Sequence, residues 1–271
     1  MASSGRITLA GSTVLLTGAT GGIGQAIARA LADRGARLIL SGRRPEELER
    51  IAGELGATTI VSDLSDRGDV DRLADEAVTA GVDVLIANAA LPASGLLVEL
   101  TPEQIDRMLD VNLRAPIALA RALAPAMSAR RRGQMVFISS LSGKAASPAS
   151  SIYSATKFGL RGFALGLRAD LHPHDVGVSV ISPGFISDAG MFAKAGVKLP
   201  PGVGTKSPRD VAAAVIRAIE QDRAEIDVAP LSLRAGAAFA SVAPQLAAAA
   251  SRRLGSDRIA EDLSEGQRDQ R

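Results

Sequence analysis

Short apolar runs alternate with segments of helical periodicity along most of this 271-residue chain. A short, continuous apolar run is typical of a buried parallel strand, and apolar residues at a period of about 3.6 are typical of a helix packed on it. The alternation predicts an α/β fold with one doubly wound parallel sheet of about seven strands and helices on both faces. The predicted strands are Thr13–Thr17, Arg37–Ser41, Thr58–Val61, Val82–Ala87, Met135–Ile138, Val176–Ile181 and Glu225–Val228.

Three glycines, Gly18, Gly22 and Gly24, separate the first strand from the first helix. Glycines allow a tight turn and a close approach to a pyrophosphate, whose charge is stabilised at a helix N-terminus. The spacing differs from the usual G-x-G-x-x-G fingerprint, and by itself a plain tight turn is the alternative. In the context of the alternating strands, the loop predicts a Rossmann-type dinucleotide site at the carboxyl ends of the strands.

The second strand ends in Gly42-Arg43-Arg44, where an NAD site is expected to carry an acidic residue for the ribose. Two cations and no carboxylate favour the 2′-phosphate of NADP(H) as the ligand. The alternative is that Arg43 and Arg44 are solvated turn residues before Pro45.

Two further strand ends carry candidate cofactor contacts. Asp63 and Leu64 follow the third strand, and the residues after the fourth are Asn88, Ala89 and Ala90. Small residues at this edge would let a flat ring or a ribose approach the backbone. An N-cap-like aspartate and an ordinary asparagine turn are the alternatives.

The only tyrosine of the chain, Tyr153, precedes Lys157 by four positions. On a helix these side chains share one face, and an ammonium beside a phenol is expected to lower the phenol pKa. The pair could then exchange a proton with an alcohol or a carbonyl near neutral pH. A half-buried helical tyrosine beside an exposed lysine is the alternative.

Asn112 lies within a helix predicted from Thr101-Pro102-Glu103 to about Ala129. Pro116 has no N–H and clashes with the carbonyl of the residue four positions before it, which is Asn112. We therefore expect a kink that frees this carbonyl for a water or another group. The alternative is a buried amide that stabilises the kink.

Composition excludes several function classes. The chain has no cysteine, a net charge of +2 and no basic stripe interleaved with aromatic residues, so we expect neither thiolate chemistry nor nucleic-acid binding. The two histidines, His172 and His174, flank a proline without an acidic cluster, so we expect a turn and no metal site. Residues 1–8 show no secretory signal, and a cytoplasmic protein is the default expectation.

The sequence after the sixth strand predicts three further regions. Residues 188–206 have the glycine and proline content of a substrate lid that belongs to the dinucleotide-binding domain of residues 1–230. An alanine-rich helix, Leu231–Leu254 within a 231–255 extension, is interrupted by Pro244. It is expected to pack on the same domain or on a partner subunit, and weak contact with a membrane surface is the alternative. Residues 256–271 are predicted to be a flexible tail.

Six motifs in register carry a resemblance to the short-chain dehydrogenase/reductase family over roughly residues 10–230. They are Thr17-Gly18-x-x-x-Gly22-Ile23-Gly24, Asn88-Ala89-Ala90, Asn112, a serine thirteen residues before Tyr153, Tyr153-x-x-x-Lys157 and Pro183-Gly184.

The resemblance implies roles for these residues. Tyr153 would be the general acid or base, and Lys157 would lower its pKa and bind the nicotinamide ribose. Ser140 would hydrogen-bond the substrate oxygen, the thirteen-residue spacing selecting it over Ser139 and Ser142. The main-chain carbonyl of Asn112 would hold a relay water. Cofactor contacts would come from Thr20 and Ile23 with the loop glycines, from Asp63 to the adenine, and from Pro183, Gly184, Phe185 and Ile186 to the nicotinamide.

Two positions depart from the family pattern: Ala90 replaces a glycine, and Asp188 stands where a threonine is common. The resulting expectation is an NADP(H)-dependent oxidoreductase that interconverts a carbonyl and a secondary alcohol and forms a homodimer or homotetramer. A non-catalytic NADP(H)-binding sensor or scaffold, and a lyase or epimerase that uses the same tyrosine, are the alternatives.

Overall fold

The computed structural model describes residues 7–92, 95–188 and 204–253, together with Gly266. Within them, seven parallel strands form one sheet, as predicted, and their order is β3-β2-β1-β4-β5-β6-β7. The strands are β1 Thr13–Thr17, β2 Arg37–Gly42, β3 Thr58–Val61, β4 Val84–Ala87, β5 Gly133–Ile138, β6 Val176–Pro183 and β7 Glu225–Val228. The strand order reverses between β1 and β4, and ligands of doubly wound sheets bind at the carboxyl ends of such a pair.

Helices cover both faces of the sheet. The helices of the described residues are α1 Gly22–Ala32, α2 Pro45–Leu55, α3 Arg67–Thr79, α4 Pro102–Leu109, α5 Ala115–Arg130, α6 Ser151–Leu171, α7 Pro208–Gln221, α8 Leu231–Val242 and α9 Pro244–Arg253, and six of them pack on the sheet. One apolar core lies between the sheet and α1, α2 and α7, and a second lies between the sheet and α3, α5 and α6. Successive strand residues alternate between these cores, which is why the central strands are mostly apolar on both faces.

The helix predicted over residues 102–129 is interrupted by a π-helical turn at Asp110–Arg114. Thr101 and Gln104 form a capping box at the start of α4, as a Thr-Pro-Glu beginning suggests. The predicted kink at Asn112 therefore takes the form of one wider turn, which accommodates the missing N–H of Pro116.

The predicted C-terminal helix also divides in two. The chain leaves the helical conformation at Ala243, directly before Pro244, because the residue before a proline is disfavoured in the α region. The inner side of α8 buries Ala237, whereas Leu231, Phe239 and Val242 are exposed. Among the residues that the structure describes, no helix is long and apolar enough to span a bilayer.

The predicted lid lies mostly outside the described residues, which omit 189–203. Its two flanks are joined: Ile186 and Lys206 form a parallel bridge, and the Ser187 N–H donates to the Lys206 carbonyl at 2.8 Å. Of the predicted tail, 256–271, only Gly266 is described.

Candidate active site

The glycine loop between β1 and α1 is shaped by backbone contacts that exclude side chains. Gly18 has φ +65°, and a Cβ there would lie 2.7 Å from the Ala89 Cα. A Cβ at Gly24 would lie 2.2 Å from the Gly18 carbonyl oxygen. Both positions therefore require glycine, and the loop of β1 is packed directly against the exit of β4.

Asn88 and Thr17 join these two strand ends by hydrogen bonds. The Asn88 amide donates to the carbonyls of Thr17 at 3.0 Å and Gly18 at 3.2 Å. The Thr17 hydroxyl accepts from the backbone N–H groups of Asn88 at 3.1 Å and Ala89 at 3.2 Å. The side chain of Asn88 therefore supports the glycine loop, and its amide group is taken up by backbone carbonyls.

The catalytic candidates meet at the carboxyl end of β5. Ser140 follows this strand, and its hydroxyl lies beside the phenol of Tyr153 in α6. Its Oγ donates to the Pro183 carbonyl at 3.4 Å and accepts from the Ser142 N–H at 3.1 Å. The Ser139 hydroxyl instead donates to the Lys157 carbonyl at 3.0 Å. Of the three serines considered from the sequence, Ser140 is therefore the one whose hydroxyl lies beside the tyrosine.

Lys157 is fully buried, one helical turn after Tyr153. Its Nζ lies 5.6 Å from the centroid of the Tyr153 ring and donates to the Ile138 carbonyl at 2.9 Å. The alternative reading of an exposed lysine is wrong. Burial lowers the pKa of Lys157 to about 8, because the charged form loses its hydration.

The expected depression of the tyrosine pKa does not occur in this structure. Burial raises the pKa of Tyr153, and the hydrogen bond with Ser140 opposes the rise only in part. The physical reason is that the Lys157 ammonium is directed to Ile138 and is itself desolvated, so the loss of hydration dominates at the phenol.

Asn112 is fully buried in the π-helical turn, and its side chain pairs with the backbone of Leu91. Its Oδ1 accepts from the Leu91 N–H at 2.7 Å and its Nδ2 donates to the Leu91 carbonyl at 2.9 Å. The Asn112 side chain therefore fixes the backbone of Leu91 in the segment that follows β4. This agrees with the alternative interpretation of Asn112 as a buried, stabilising amide. Pro116, four residues after Asn112, has no N–H to offer the main-chain carbonyl of Asn112.

The exit of β6 supplies the remaining predicted contacts. Pro183 is the last strand residue, the Gly184 N–H donates to the Val228 carbonyl at 3.1 Å, and Ile186 is buried. Asp188 has φ +62° and its carboxylate accepts from the Ser187 hydroxyl at 2.8 Å. Its carboxylate is thus engaged at the base of the predicted lid.

Residues 12–198 match the family model described as short chain dehydrogenase. The chain belongs to the short-chain dehydrogenase/reductase family. Dehydrogenase/reductase SDR family member 7B of Xenopus tropicalis is 36% identical over 241 residues, which cover 81% of this chain and 78% of that protein. Its Bos taurus namesake is 40% identical over 188 residues, and this alignment spans 65% of this chain but only 58% of that protein. A metagenomic short-chain oxidoreductase, solved in complex with NADP, is 34% identical with a TM-score of 0.71 and covers 83% of this chain and 99% of that one.

The glycine loop of this family member fits the pyrophosphate of a dinucleotide. Gly21 precedes α1 and supplies no side-chain cap, so no side chain from the N-cap occupies the N-terminal N–H groups of the helix. Uncapped N–H groups beside a glycine turn are the arrangement in which helices bind phosphate.

The exits of β2 and β3, where the adenosine contacts are predicted, combine two arginines with Asp63. Arg43 lies 3.9 Å from the Asp63 carboxylate, whereas Arg44 donates to the Thr20 carbonyl at 2.9 Å and pairs with Glu47 at 2.8 Å. Burial raises the pKa of Asp63, but hydrogen bonds from Ser65 and the charges of nearby arginines outweigh it and lower the pKa. Asp63 is therefore an acceptor, and Leu64 beside it is buried.

Sequence reasoning did not assign a role to the Thr17 hydroxyl or to the side-chain partners of Asn88 and Asn112. For Thr17 the sequence offers one indication: a hydroxyl residue ends an apolar strand directly before the loop glycine Gly18. The partners of Asn88 and Asn112 are backbone groups that the fold brings close from distant parts of the chain, and no local pattern marks them.

Proposed function

We propose that this protein is an NADP(H)-dependent oxidoreductase that interconverts a carbonyl compound and a secondary alcohol. The observation that carries the proposal is the meeting of three side chains at the carboxyl edge of the sheet: the Ser140 hydroxyl lies beside the Tyr153 phenol, and the buried Lys157 has its Nζ 5.6 Å from the Tyr153 ring centroid. The bound NADP of the metagenomic oxidoreductase supports the choice of cofactor.

In the proposed reduction, Tyr153 donates its phenolic proton to the substrate oxygen while Ser140 hydrogen-bonds that oxygen and orients it. NADP(H), when bound, supplies or accepts the hydride. Because burial raises the pKa of Tyr153, the phenol holds its proton at neutral pH and is suited to act as the acid. The reverse direction requires the same hydroxyl to accept the proton.

Lys157 is proposed to bind the nicotinamide ribose and to return a proton to Tyr153. Its lowered pKa of about 8 makes it an effective donor and acceptor near neutral pH. For the main-chain carbonyl of Asn112 we propose the relay role that the family resemblance implies, which the π-helical turn and Pro116 support. Arg43 is the stronger candidate for the 2′-phosphate, because Arg44 already contacts Thr20 and Glu47.

Two other classes stay as alternatives: a non-catalytic NADP(H)-binding sensor or scaffold, and a lyase or epimerase that uses the same tyrosine. Replacing Tyr153 by Phe tests the proposal against the first, because it removes only the hydroxyl. We expect turnover of carbonyl substrates to fall at least about 100-fold while NADPH still binds. Turnover equal to that of the wild type would refute the role of Tyr153.

We also propose a homodimer or homotetramer built on α4–α6. On the outer side of α6, a Cβ at Gly162 or Gly166 would meet nothing within 4 Å, whereas Gly159 packs on Leu113 of the same chain. The exposed side of α8 is proposed to meet a partner subunit, and a membrane surface is its alternative. Light scattering that shows a monomer would contradict the assembly, and binding to anionic vesicles would favour the alternative.

A further inference from the structure

A network of four charged side chains connects the catalytic residues to the edge strand β7. Lys144 comes directly after the turn Leu141–Gly143 that follows Ser140. Its Nζ contacts the Asp227 carboxylate at 2.6 Å and the Glu225 carboxylate at 3.2 Å. The Lys144 N–H also donates to the Leu141 carbonyl at 2.9 Å, so the lysine closes the serine turn with its backbone and anchors it with its side chain.

The carboxylate of Glu225 also binds α6, through Arg161. Arg161 lies one helical turn after Lys157, and its Nε and Nη2 donate to the two carboxylate oxygens of Glu225 at 2.6 and 3.1 Å. This is a paired, charge-assisted contact that fixes direction as well as distance. Glu225 therefore accepts from the serine turn and from the tyrosine helix at once.

The strand β7 presents both carboxylates on one side. Glu225 and Asp227 are two positions apart, and they pair in register with Val180 and Ser182 of β6. The exposed fraction of the side chains is 14% for Lys144, 17% for Asp227 and 22% for Glu225. Removing one member would leave a partly buried charge without its partner, which destabilises a folded protein. Exposed ion pairs on the surface contribute much less to stability.

We propose that Lys144, Arg161, Glu225 and Asp227 are positioning residues that set the distance between the Ser140 turn and the Tyr153–Lys157 helix. They touch neither substrate nor cofactor in this role and act through Ser140 and Tyr153. The inference rests on the proposed function of those two residues. A role in stability alone is the competing explanation.

The composition of the chain provides a direct readout. Because Tyr153 is the only tyrosine, labelling tyrosine with ¹³C at the ζ carbon gives a single resonance. Its position reports the environment of the phenol hydroxyl. Ser140→Ala defines the position of this resonance when the serine contact is absent. The measurement is made at neutral pH on the full chain and needs neither cofactor nor substrate.

The test variants are Glu225→Gln and Asp227→Asn, which retain shape and remove a charge. The matched control is Arg217→Met, since Arg217 lines the same polar cavity of about 420 Å³ beside β7 and the structure shows no ion pair for it in the described residues. We expect both test variants to move the resonance toward its position in Ser140→Ala and the control to leave it in place. In turnover, we expect kcat to fall about tenfold with NADPH affinity changed less than about twofold, because small displacements of catalytic groups mainly slow the chemical step.

A folded Glu225→Gln protein with a lowered Tm but the wild-type resonance and kcat would overturn the inference and leave a role in stability. If Glu225→Gln does not fold, Asp227→Asn and Lys144→Arg decide by the same resonance. If the wild type shows no carbonyl turnover, the proposed function fails, while the resonance still decides whether the network positions the phenol.

Discussion

The cofactor side and the catalytic side of the site lie at one edge of the same sheet, but different contacts hold them. On the cofactor side, the side-chain hydrogen bonds of Thr17 and Asn88 are joined by close backbone packing. Gly24 leaves no room beside the Gly18 carbonyl, and Gly18 none beside Ala89. On the catalytic side, side chains span the distances: Ser139 reaches the Lys157 carbonyl, and Lys144 reaches β7. Close backbone packing restricts a single position to glycine, which the sequence itself displays. A contact between two side chains depends on both partners, and only folding brings them together.

The largest effect is expected on the cofactor side, from Gly24→Ala. A Cβ 2.2 Å from the Gly18 carbonyl oxygen forces the loop backbone to move, at a cost of about 3 kcal/mol or more in the free energy of unfolding. NADPH affinity should fall more than about tenfold, because the loop that approaches the pyrophosphate is displaced. Urea unfolding and NADPH titration measure the two effects.

Gly53→Ala in α2 is the control for this prediction, since a Cβ there meets nothing within 4 Å. It should leave NADPH affinity unchanged and stabilise the protein slightly, as alanine does in a helix. Equal behaviour of the two variants would show that the close packing of the glycine loop is unimportant.

An effect of similar size but opposite sign is expected on the catalytic side, from Lys157→Met. The pKa of this lysine falls from 10.5 to about 8 on folding, which corresponds to about 3 kcal/mol. Between these pH values the unfolded chain binds more protons than the folded one, so the free energy of unfolding of the wild type rises with pH. Below pH 8 the folded protein carries the full cost of a buried ammonium.

We therefore expect cofactor-free Lys157→Met to be more stable than the wild type at pH 7, with the difference shrinking toward pH 10. Urea unfolding of both proteins across this range measures it. A stability difference that does not change with pH would show that burial does not lower the pKa of Lys157.

The smallest effect concerns the cofactor side again, in the choice between NADPH and NADH. The Arg43 side chain is about half exposed, and its guanidinium makes only a long contact of 3.9 Å with Asp63, so it can turn to meet a 2′-phosphate. We expect a preference for NADPH of at least tenfold, or about 1.4 kcal/mol. Gly42→Asp with Arg43→Ala should move the preference toward NADH. A Cβ at Gly42 would be 3.4 Å from Thr20 Cγ2, so the substitution fits.

Fluorescence titration of both cofactors at low and high salt tests this prediction. The preference of the wild type should shrink as salt screens the phosphate, and Arg50→Ala, an exposed arginine of α2 paired with Glu54, should leave it unchanged. A wild type that binds NADH as tightly as NADPH at low salt would show that the arginines are ordinary turn residues.

The same comparison explains what could be predicted from the sequence. The seven strands, the glycine loop and the interruptions near Asn112 and at Pro244 follow from local rules of periodicity, sterics and proline geometry. The direction that the sequence predicts for the Tyr153 pKa shift is wrong, because the shift depends on how deeply the fold buries the phenol and on where the Lys157 ammonium points. The Lys144–Glu225–Arg161 contacts join residues about 80 positions apart at most, and no spacing rule marks such partners.

The most direct test of the account is to measure hydride transfer from NADPH to a carbonyl substrate by mass spectrometry. NADPH deuterated at the transferred position of C4 is incubated with the protein and a carbonyl substrate found by screening, and the alcohol is analysed by mass spectrometry. The account predicts one deuterium on the carbinol carbon, in amounts equal to the NADPH oxidised, and loss of this product in Tyr153→Phe while NADPH still binds. A product formed without deuterium and without NADPH oxidation would contradict it and identify lyase or epimerase chemistry instead.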